Sequence, residues 1–516
     1  MRMTNGSKPY LGGIGWPVVL IVCVKLALHL TTNALGGYGY FRDELYYIAC
    51  SEHPAFGYVD HPPFSVFILI VSRSIFGDSL FGLRLLPALA GGATVLLAAL
   101  TAREMGGGVF ARSLAALSAL ISPVFLGMQT FYSMNAFDLL FWASAGCVMT
   151  RIINEESRSL WIVLGVILGF GLLNKVGVLF LGFGIALGLL LTPRRSVLRT
   201  AAPWMCALIS FLLFLPYILW NIANDYAHLE FIRNASSGKY SGLTPLRFAT
   251  DQLLINNPLT VPVWVGGLLF FFRTEQGKKY RWLGFSFAGA AIVLLLNQTS
   301  KAEYLAAGYT VLFAGGGVFW EDLLSQGRRY RALWLFAALL SGGLLLAPFG
   351  LPILPVETYR GYASILGIGP STSENLELAE LPQFYADMFG WEEQVNALAA
   401  VYHSLPPDEK GTCVIYCENY GRAGAVDFFG RRQGLPNVVS GHNTYWLWGT
   451  GGEEIATVIM FDNEIGDKER IFDSVVVAGS YQTPYALPSE NNLTIYVCRN
   501  PLVSFDSLWE RVRSYE

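Results

Sequence analysis

Trp16-Pro-Val-Val-Leu-Ile-Val-Cys-Val-Lys-Leu-Ala-Leu-His-Leu-Thr-Thr-Asn-Ala34 decides the class of fold. It is an apolar run of membrane length, preceded by basic residues (Arg2, Lys8) and longer than a signal-peptide core, so it reads as a retained helix. Directly after it come Phe41-Arg-Asp-Glu-Leu-Tyr-Tyr47 and Tyr58-Val-Asp-His-Pro-Pro-Phe64, where acids, bases and aromatics crowd together. Ionisable side chains at a bilayer edge are costly unless solvated, paired or bound, so this cluster reads as a functional site. Of the 516 residues 53% are hydrophobic and 14% charged, the composition of a multispanning membrane protein. The balance of 35 Lys and Arg against 38 Asp and Glu argues against a nucleic-acid partner.

Further apolar runs fall near Leu83–Leu100, Val109–Leu126, Phe137–Met149, Leu160–Leu172, Val176–Leu191, Ala201–Trp220, Leu259–Phe272, Trp282–Leu296, Tyr304–Trp320 and Leu333–Leu351. With the first they make about eleven transmembrane helices. Basic residues mark every second loop: Arg103 and Arg112, Arg151 and Arg158, Arg194 to Arg199, Arg273 to Arg281, and Arg328 to Arg331. By the positive-inside rule these loops and the N-terminus are cytoplasmic, and an odd number of spans puts the C-terminal tail outside. Asp43, Glu44, Asp60, His61, Asp138, Lys175, Lys301 and the long loop Asn221–Asn257 then share the outer face. Pro62–Phe76 is apolar but short and proline-initiated, and reads as an interfacial helix.

After Pro355 the hydrophobic runs shrink to strand length (Cys413–Tyr416, Thr457–Phe461, Ser474–Ala478, Leu493–Val497) and alternate with helix-like stretches such as Glu392–His403 and Ala423–Phe429. The expected organisation is a polytopic α-helical membrane domain over 1–355, followed by an extracytoplasmic α/β domain over 356–516 with a partly parallel sheet. Seven cysteines, three of them in predicted spans, imply no disulfide framework; a Cys417–Cys498 bond between neighbouring strands is one pairing the pattern allows.

The residues resemble those of glycosyltransferase family 39, the GT-C class polyprenyl-phosphate-sugar transferases that include protein O-mannosyltransferases and the aminoarabinose transferase of lipid A. The resemblance covers most of the chain. It rests on Asp43-Glu44, the turn Asp60-His-Pro-Pro63, Asp138 after an outer turn with Gln129 and Tyr132, the step Leu173-Asn-Lys175, and Lys301 with Tyr304. Tyr385-Ala-Asp-Met-Phe-Gly-Trp391, Asn419-Tyr-Gly421 and Ser440-Gly-His-Asn-Thr-Tyr-Trp446 look like the outer domain of a bacterial subgroup with no assigned acceptor. The resemblance implies a GT-C fold and transfer of a hexose or pentose from a polyprenyl-phosphate donor to a lipid, glycan or protein hydroxyl, in the cytoplasmic (inner) membrane with the C-terminal domain periplasmic.

That chemistry needs a base at the acceptor oxygen and cations on the departing phosphate. Asp43 is the expected base, with Glu44 supporting it, although an acidic pair that opens a helix also complements its dipole. Asp138 is a third candidate for the catalytic group, and it equally suits the N-cap of its span. Lys175, Lys301 and Tyr304 are expected at the donor phosphate, with Arg233 of the long loop and His61 as further candidates. In the resembled family the Asp60 position is an acid tied to a divalent metal ion, followed by a Lys near phosphate. His61 replaces that Lys, which leaves a His metal ligand or a pH-sensitive donor open. Lys25 and His29 share one face of the first helix and must turn away from lipid. The rival reading, a polytopic transporter or lipid-glycan flippase, expects charges at mid-membrane and two related halves, whereas this chain concentrates its charges at one face and shows no half-to-half similarity.

Overall fold

A computed structural model describes residues 15–325, 329–451, 455–462, 466 and 468–516; Arg2, Lys8 and Arg328 lie outside them. Every one of the expected apolar runs forms a helix. Among the described residues five helices are long and apolar enough to cross a bilayer unaided: Trp16–Leu35, Leu80–Glu104, Met134–Glu155, Ala201–Ala223 and Tyr330–Gly350. The count rises to 7 if two sharply bent pairs, Val178–Leu190 with Pro193–Arg199 and Pro245–Ile255 with Pro258–Arg273, each form one span. Val109–Ile121, Arg158–Asn174 and Arg281–Leu296 are apolar but shorter. At about 1.5 Å per residue they cover roughly 20–26 Å of a hydrocarbon layer about 30 Å thick. Length alone therefore supports fewer crossings than hydropathy suggests, and the protein is a polytopic helical membrane protein.

The chain divides into two compact units, the first comprising 1–36, 81–216 and 243–353, and the second 37–80, 217–242 and 354–516. The composition change read at Pro355 falls beside the start of the last segment. Within the first unit the helices pack at backbone contact: a Cβ on Gly267 would collide with the carbonyl oxygen of Leu312 on the neighbouring helix Tyr309–Ser325. Small residues permit this, and in lipid such close packing replaces the hydrophobic drive that water supplies. Lys25 and His29 are completely buried in this unit, with Lys25 Nζ donating to the Phe125 carbonyl at 2.7 Å. Four of the basic loops meet at one end of it. Gln276 Nε2 donates to the Met105 carbonyl, Lys279 Nζ and the Tyr280 hydroxyl both donate to Asn154 Oδ1, and Arg194 Nη2 donates to the Ile153 carbonyl.

The second unit contains a five-stranded sheet of β1 (Cys413–Tyr416), β2 (Val438–Val439), β3 (Thr457–Asp462), β4 (Phe472–Tyr481) and β5 (Leu493–Pro501) in the order β2-β1-β3-β5-β4. β1 runs parallel to both β2 and β3, whereas β5 is antiparallel to β3 and β4. The sheet is thus mixed, and the two-residue β2 is too short to have left a sequence signal. β3 lies between β1 and β5, so Cys417, just past the end of β1, and Cys498 on β5 are not on neighbouring strands; all seven cysteines are free. The stretch read as a long loop, Asn221–Asn257, is largely two helices, Ala227–Ser237 and Pro245–Ile255. Pro62–Phe76 forms the helix Phe64–Phe76, of 13 residues.

The helix Arg42–Glu52 is placed by the short helix Tyr420–Ala425, which crosses it at Gly424. A Cβ there would lie 2.7 Å from the Leu45 carbonyl carbon and 3.0 Å from the Tyr46 nitrogen, both backbone atoms unable to swing away. Gly424→Ala is expected to cost about 1–3 kcal/mol through overpacking. It will appear as a lowered midpoint of thermal unfolding in detergent, while Gly411→Ala, at a turn with open space around it and an ordinary φ of -72°, is expected to cost less.

Candidate active site

In the second unit, Arg42, Asp43 and Glu44 form the first turn of the helix Arg42–Glu52. Glu44 is fully buried and its Oε2 accepts the Phe41 backbone N–H at 2.9 Å, so it caps the helix. Asp43 points the other way. Its side chain is 30% exposed, and Oδ1 accepts the Tyr420 hydroxyl at 3.0 Å and lies 3.8 Å from Arg42 Nε. The two members of the acidic pair thus differ: Glu44 is consumed locally as a cap and Asp43 is left reachable.

Asp60 sits on the turn that precedes the helix Phe64–Phe76. Its Oδ1 accepts the Tyr46 hydroxyl at 2.8 Å, and that hydroxyl also meets the Thr444 hydroxyl at 2.7 Å. Thr444 in turn accepts the Val59 N–H at 3.0 Å. His61 is 1% exposed, stacked on Tyr47 with ring centroids 4.6 Å apart and flanked by Tyr46 and Tyr58. Its Nδ1 lies 3.0 Å from the Pro62 carbonyl, which only accepts, so Nδ1 is the donor there, and Nε2 meets no hydrogen-bond partner among the described residues. His228, on the helix Ala227–Ser237, is buried. Its Nδ1 donates to the Val59 carbonyl at 2.9 Å, and burial holds its imidazole below the usual value while Asp60 opposes that shift. Arg233 stands exposed on the helix Ala227–Ser237. Among the described residues no three His, Cys, Asp or Glu side chains form a group that could hold a metal ion. Asp60 and His61 offer two donors, short of a four-ligand set, and one of the Asp60 oxygens is already engaged by Tyr46.

A second cluster lies in the first unit. Lys175, just past the helix Arg158–Asn174, donates to Asn135 Oδ1 at 2.6 Å, lies 3.8 Å from Asp138 Oδ2, and stands 4.7 Å above the centre of the Tyr304 ring. Lys301 and Glu303 are near enough for their charges to act on it. The structure therefore brings Asp138, Lys175, Lys301 and Tyr304 together. Ser133 is the cap of the helix Met134–Glu155, accepting the Asn135 N–H at 3.2 Å, so Asp138 serves as counter-ion to Lys175 rather than as N-cap. Sequence reasoning missed Asn135, Tyr46, Thr444 and Arg42. Only the aromatic and amide character of their segments hinted at them, because their partners lie far along the chain.

A family model described as dolichyl-phosphate-mannose-protein mannosyltransferase matches residues 60–220. The lipid A galacturonosyltransferase RgtD of Rhizobium johnstonii is 23% identical over 281 residues, 54% of this chain and 59% of that protein. An undecaprenyl phosphate-alpha-4-amino-4-deoxy-L-arabinose arabinosyl transferase of Pseudomonas fluorescens is 31% identical over 185 residues, 34% of this chain and 31% of that protein. The chain thus spans less than two thirds of the length of either relative. The crystal structure of ArnT from Cupriavidus metallidurans bound to undecaprenyl phosphate superimposes with a TM-score of 0.61 at 13% identity, covering 93% of this chain and 97% of that one. The protein has the GT-C fold. Over residues 60–220 it is similar to the mannosyltransferase family that this model describes.

Lys175 and Asp138 have side chains 12% and 8% exposed. Removing one charge strands the other, at a cost of about 3–5 kcal/mol. Lys175→Ala is therefore expected to lower the unfolding midpoint in detergent sharply, and Lys175→Ala/Asp138→Asn to recover most of the loss in a double-mutant cycle.

Proposed function

We propose that the protein is a membrane glycosyltransferase that moves a monosaccharide from a polyprenyl-phosphate donor to a hydroxyl of a lipid, glycan or protein acceptor. The observation that carries this reading is the division of labour in the acidic pair: Asp43 is held by Tyr420 yet stays exposed to an incoming acceptor, while Glu44 is buried as a cap. The names of the two matched relatives, both transferases acting on lipid A or with undecaprenyl-phosphate sugars, favour transfer over the transporter or flippase alternative.

In this reading the Asp43 carboxylate takes the proton of the acceptor hydroxyl as its oxygen attacks the anomeric carbon. The bond from that carbon to the phosphate oxygen breaks, and its electron pair leaves on the polyprenyl phosphate. The sugar is inverted, and the proton passes on to solvent. Lys175 and Lys301, point charges suited to phosphate, are the first unit's cations for binding the donor phosphate, with the Tyr304 ring steering the Lys175 ammonium. Asp138 keeps Lys175 charged and in place. Arg233 is a further cation for the phosphate. His61, enclosed by three tyrosines, fixes the turn that carries Asp60. No step is assigned to a divalent metal ion. The gathering of four basic loops at one end of the first unit supports a cytoplasmic face there and an N-terminus inside; a periplasmic 356–516 domain following a 1–355 catalytic domain is what the family resemblance implies.

The test uses the purified protein in liposomes, radiolabelled polyprenyl-phosphate sugars and an envelope extract as acceptor. Wild type is expected to release label from the donor lipid, and Asp43→Asn to slow transfer at least about a hundredfold. Lys301→Ala is expected to raise KM for the donor more than it lowers kcat. Transfer unchanged in Asp43→Asn would remove the base from the mechanism; lipid movement across the bilayer without transfer would favour the flippase.

A further inference from the structure

Arg42 occupies an uncommon position in the second unit. Its guanidinium lies 3.8 Å from Asp43, 3.7 Å from Glu374 and 3.8 Å from Asp387, at none of them within hydrogen-bonding distance. The side chain is 15% exposed and rests over the Tyr420 ring, the same tyrosine that donates to Asp43. The segment leading to Asp387 is built to hold the other two carboxylates there. Gln383 donates to Glu374 at 2.9 Å and faces Asp387 Oδ2 at 3.4 Å, and the Asp387 carbonyl accepts the Arg42 backbone N–H at 3.0 Å and the Trp391 indole N–H at 2.8 Å. Lys239 reaches Glu374 at 3.4 Å from the remaining segment of the unit. Asp387 itself is 2% exposed, and its Oδ1 has no hydrogen-bond partner among the described residues. A buried carboxylate left with one distant cation is expensive to keep ionised.

We propose that Asp387 is a positioning residue that sets the pH dependence of transfer by competing with Asp43 for the Arg42 guanidinium. When Asp387 is ionised it draws Arg42 to itself and frees the Asp43 oxygens to accept a proton. When it is protonated, Arg42 leans onto Asp43 and makes those oxygens poorer acceptors. Atoms and charge stay in balance, since the only covalent change is one proton on Asp387, exchanged with solvent. Burial first, then the nearby Glu374, Asp43 and Glu490 charges, push the Asp387 carboxyl up to about 7 against the pull of Arg42, so the exchange falls in the working range. The other groups facing the cluster are already committed: Glu490 is paired with Arg422 at 2.7 Å, Lys239 with Glu374, and His442, whose imidazole burial pushes down to about 4, is neutral there. The inference rests on the proposed transferase reading and adds to it a residue about 340 positions from the base.

Two measurements test it, with transfer assayed in liposomes from pH 5.5 to 8.5. Wild-type kcat is expected to rise through a midpoint near 7. Asp387→Asn is expected to lose that inflection and run about tenfold slower on its alkaline side, with KM for the donor within about twofold; Asp387→Glu is expected to restore the inflection. Independently of activity, a carboxyl raised in the folded state binds its proton more tightly there than when unfolded. Its contribution to stability is therefore lost as pH rises from its ordinary value of 3.8 to about 7. The unfolding midpoint in detergent should fall across that window in wild type and fall less in Asp387→Asn. An inflection that persists in Asp387→Asn, or a rate loss equal at every pH, would overturn the proposal and leave the transferase reading standing. Absence of transfer by wild type with any donor would overturn both.

Discussion

Charge buried in or beside a membrane has to be matched by the protein, because hydrocarbon offers neither solvation nor hydrogen bonds. The first unit meets that constraint by pairing. Lys175 is set between Asn135, Asp138 and the face of Tyr304, and Lys25 donates a hydrogen bond to the carbonyl of Phe125. The helices have to approach closely and in one register for these matches to form, and the backbone contact at Gly267 is what such an approach requires. A cation so held is also oriented, which is what stabilisation of a leaving phosphate demands.

The second unit meets the same constraint by sharing. Arg42 serves Asp43, Glu374 and Asp387 at nearly equal distances, and Tyr420 lies beneath it while donating to Asp43. A guanidinium locked onto one carboxylate would hold that acid firmly, whereas one divided among three responds to the protonation of any of them. Segments around positions 42, 239, 374, 387 and 420 supply this arrangement together. The crossing at Gly424 matters because it seats Tyr420 against the helix that carries Arg42 and Asp43. In the proposed reaction the tuning of the base is therefore a property of the C-terminal segment as much as of the motif that holds Asp43.

Much of the fold was legible because apolarity and charge are local properties. The membrane helices appear wherever a run lacks charge, and strands β1, β3, β4 and β5 appear where runs shorten after Pro355. Helix length was harder to read: an apolar run does not disclose where capping and bends will stop it, so Val109–Leu126 became a helix ending at Ile121 followed by Pro123–Gly127. The sheet order was invisible as well. Cys417 follows β1 and Cys498 lies on β5, and the insertion of β3 between these two strands sets them apart.

By itself the sequence determined the class of protein and the candidates Asp43, Asp60, Asp138, Lys175, Lys301 and Tyr304, because residue type and position relative to the apolar runs already restrict what each can do. Tertiary structure alone decided their roles. It spent Glu44 on a helix cap, enclosed His61 among tyrosines, made Asp138 the partner of Lys175, and set Asp387 opposite Arg42. These are decisions about distance in space, and electrostatic and hydrogen-bond energies depend on that distance, over a few ångströms, and not on separation along the chain.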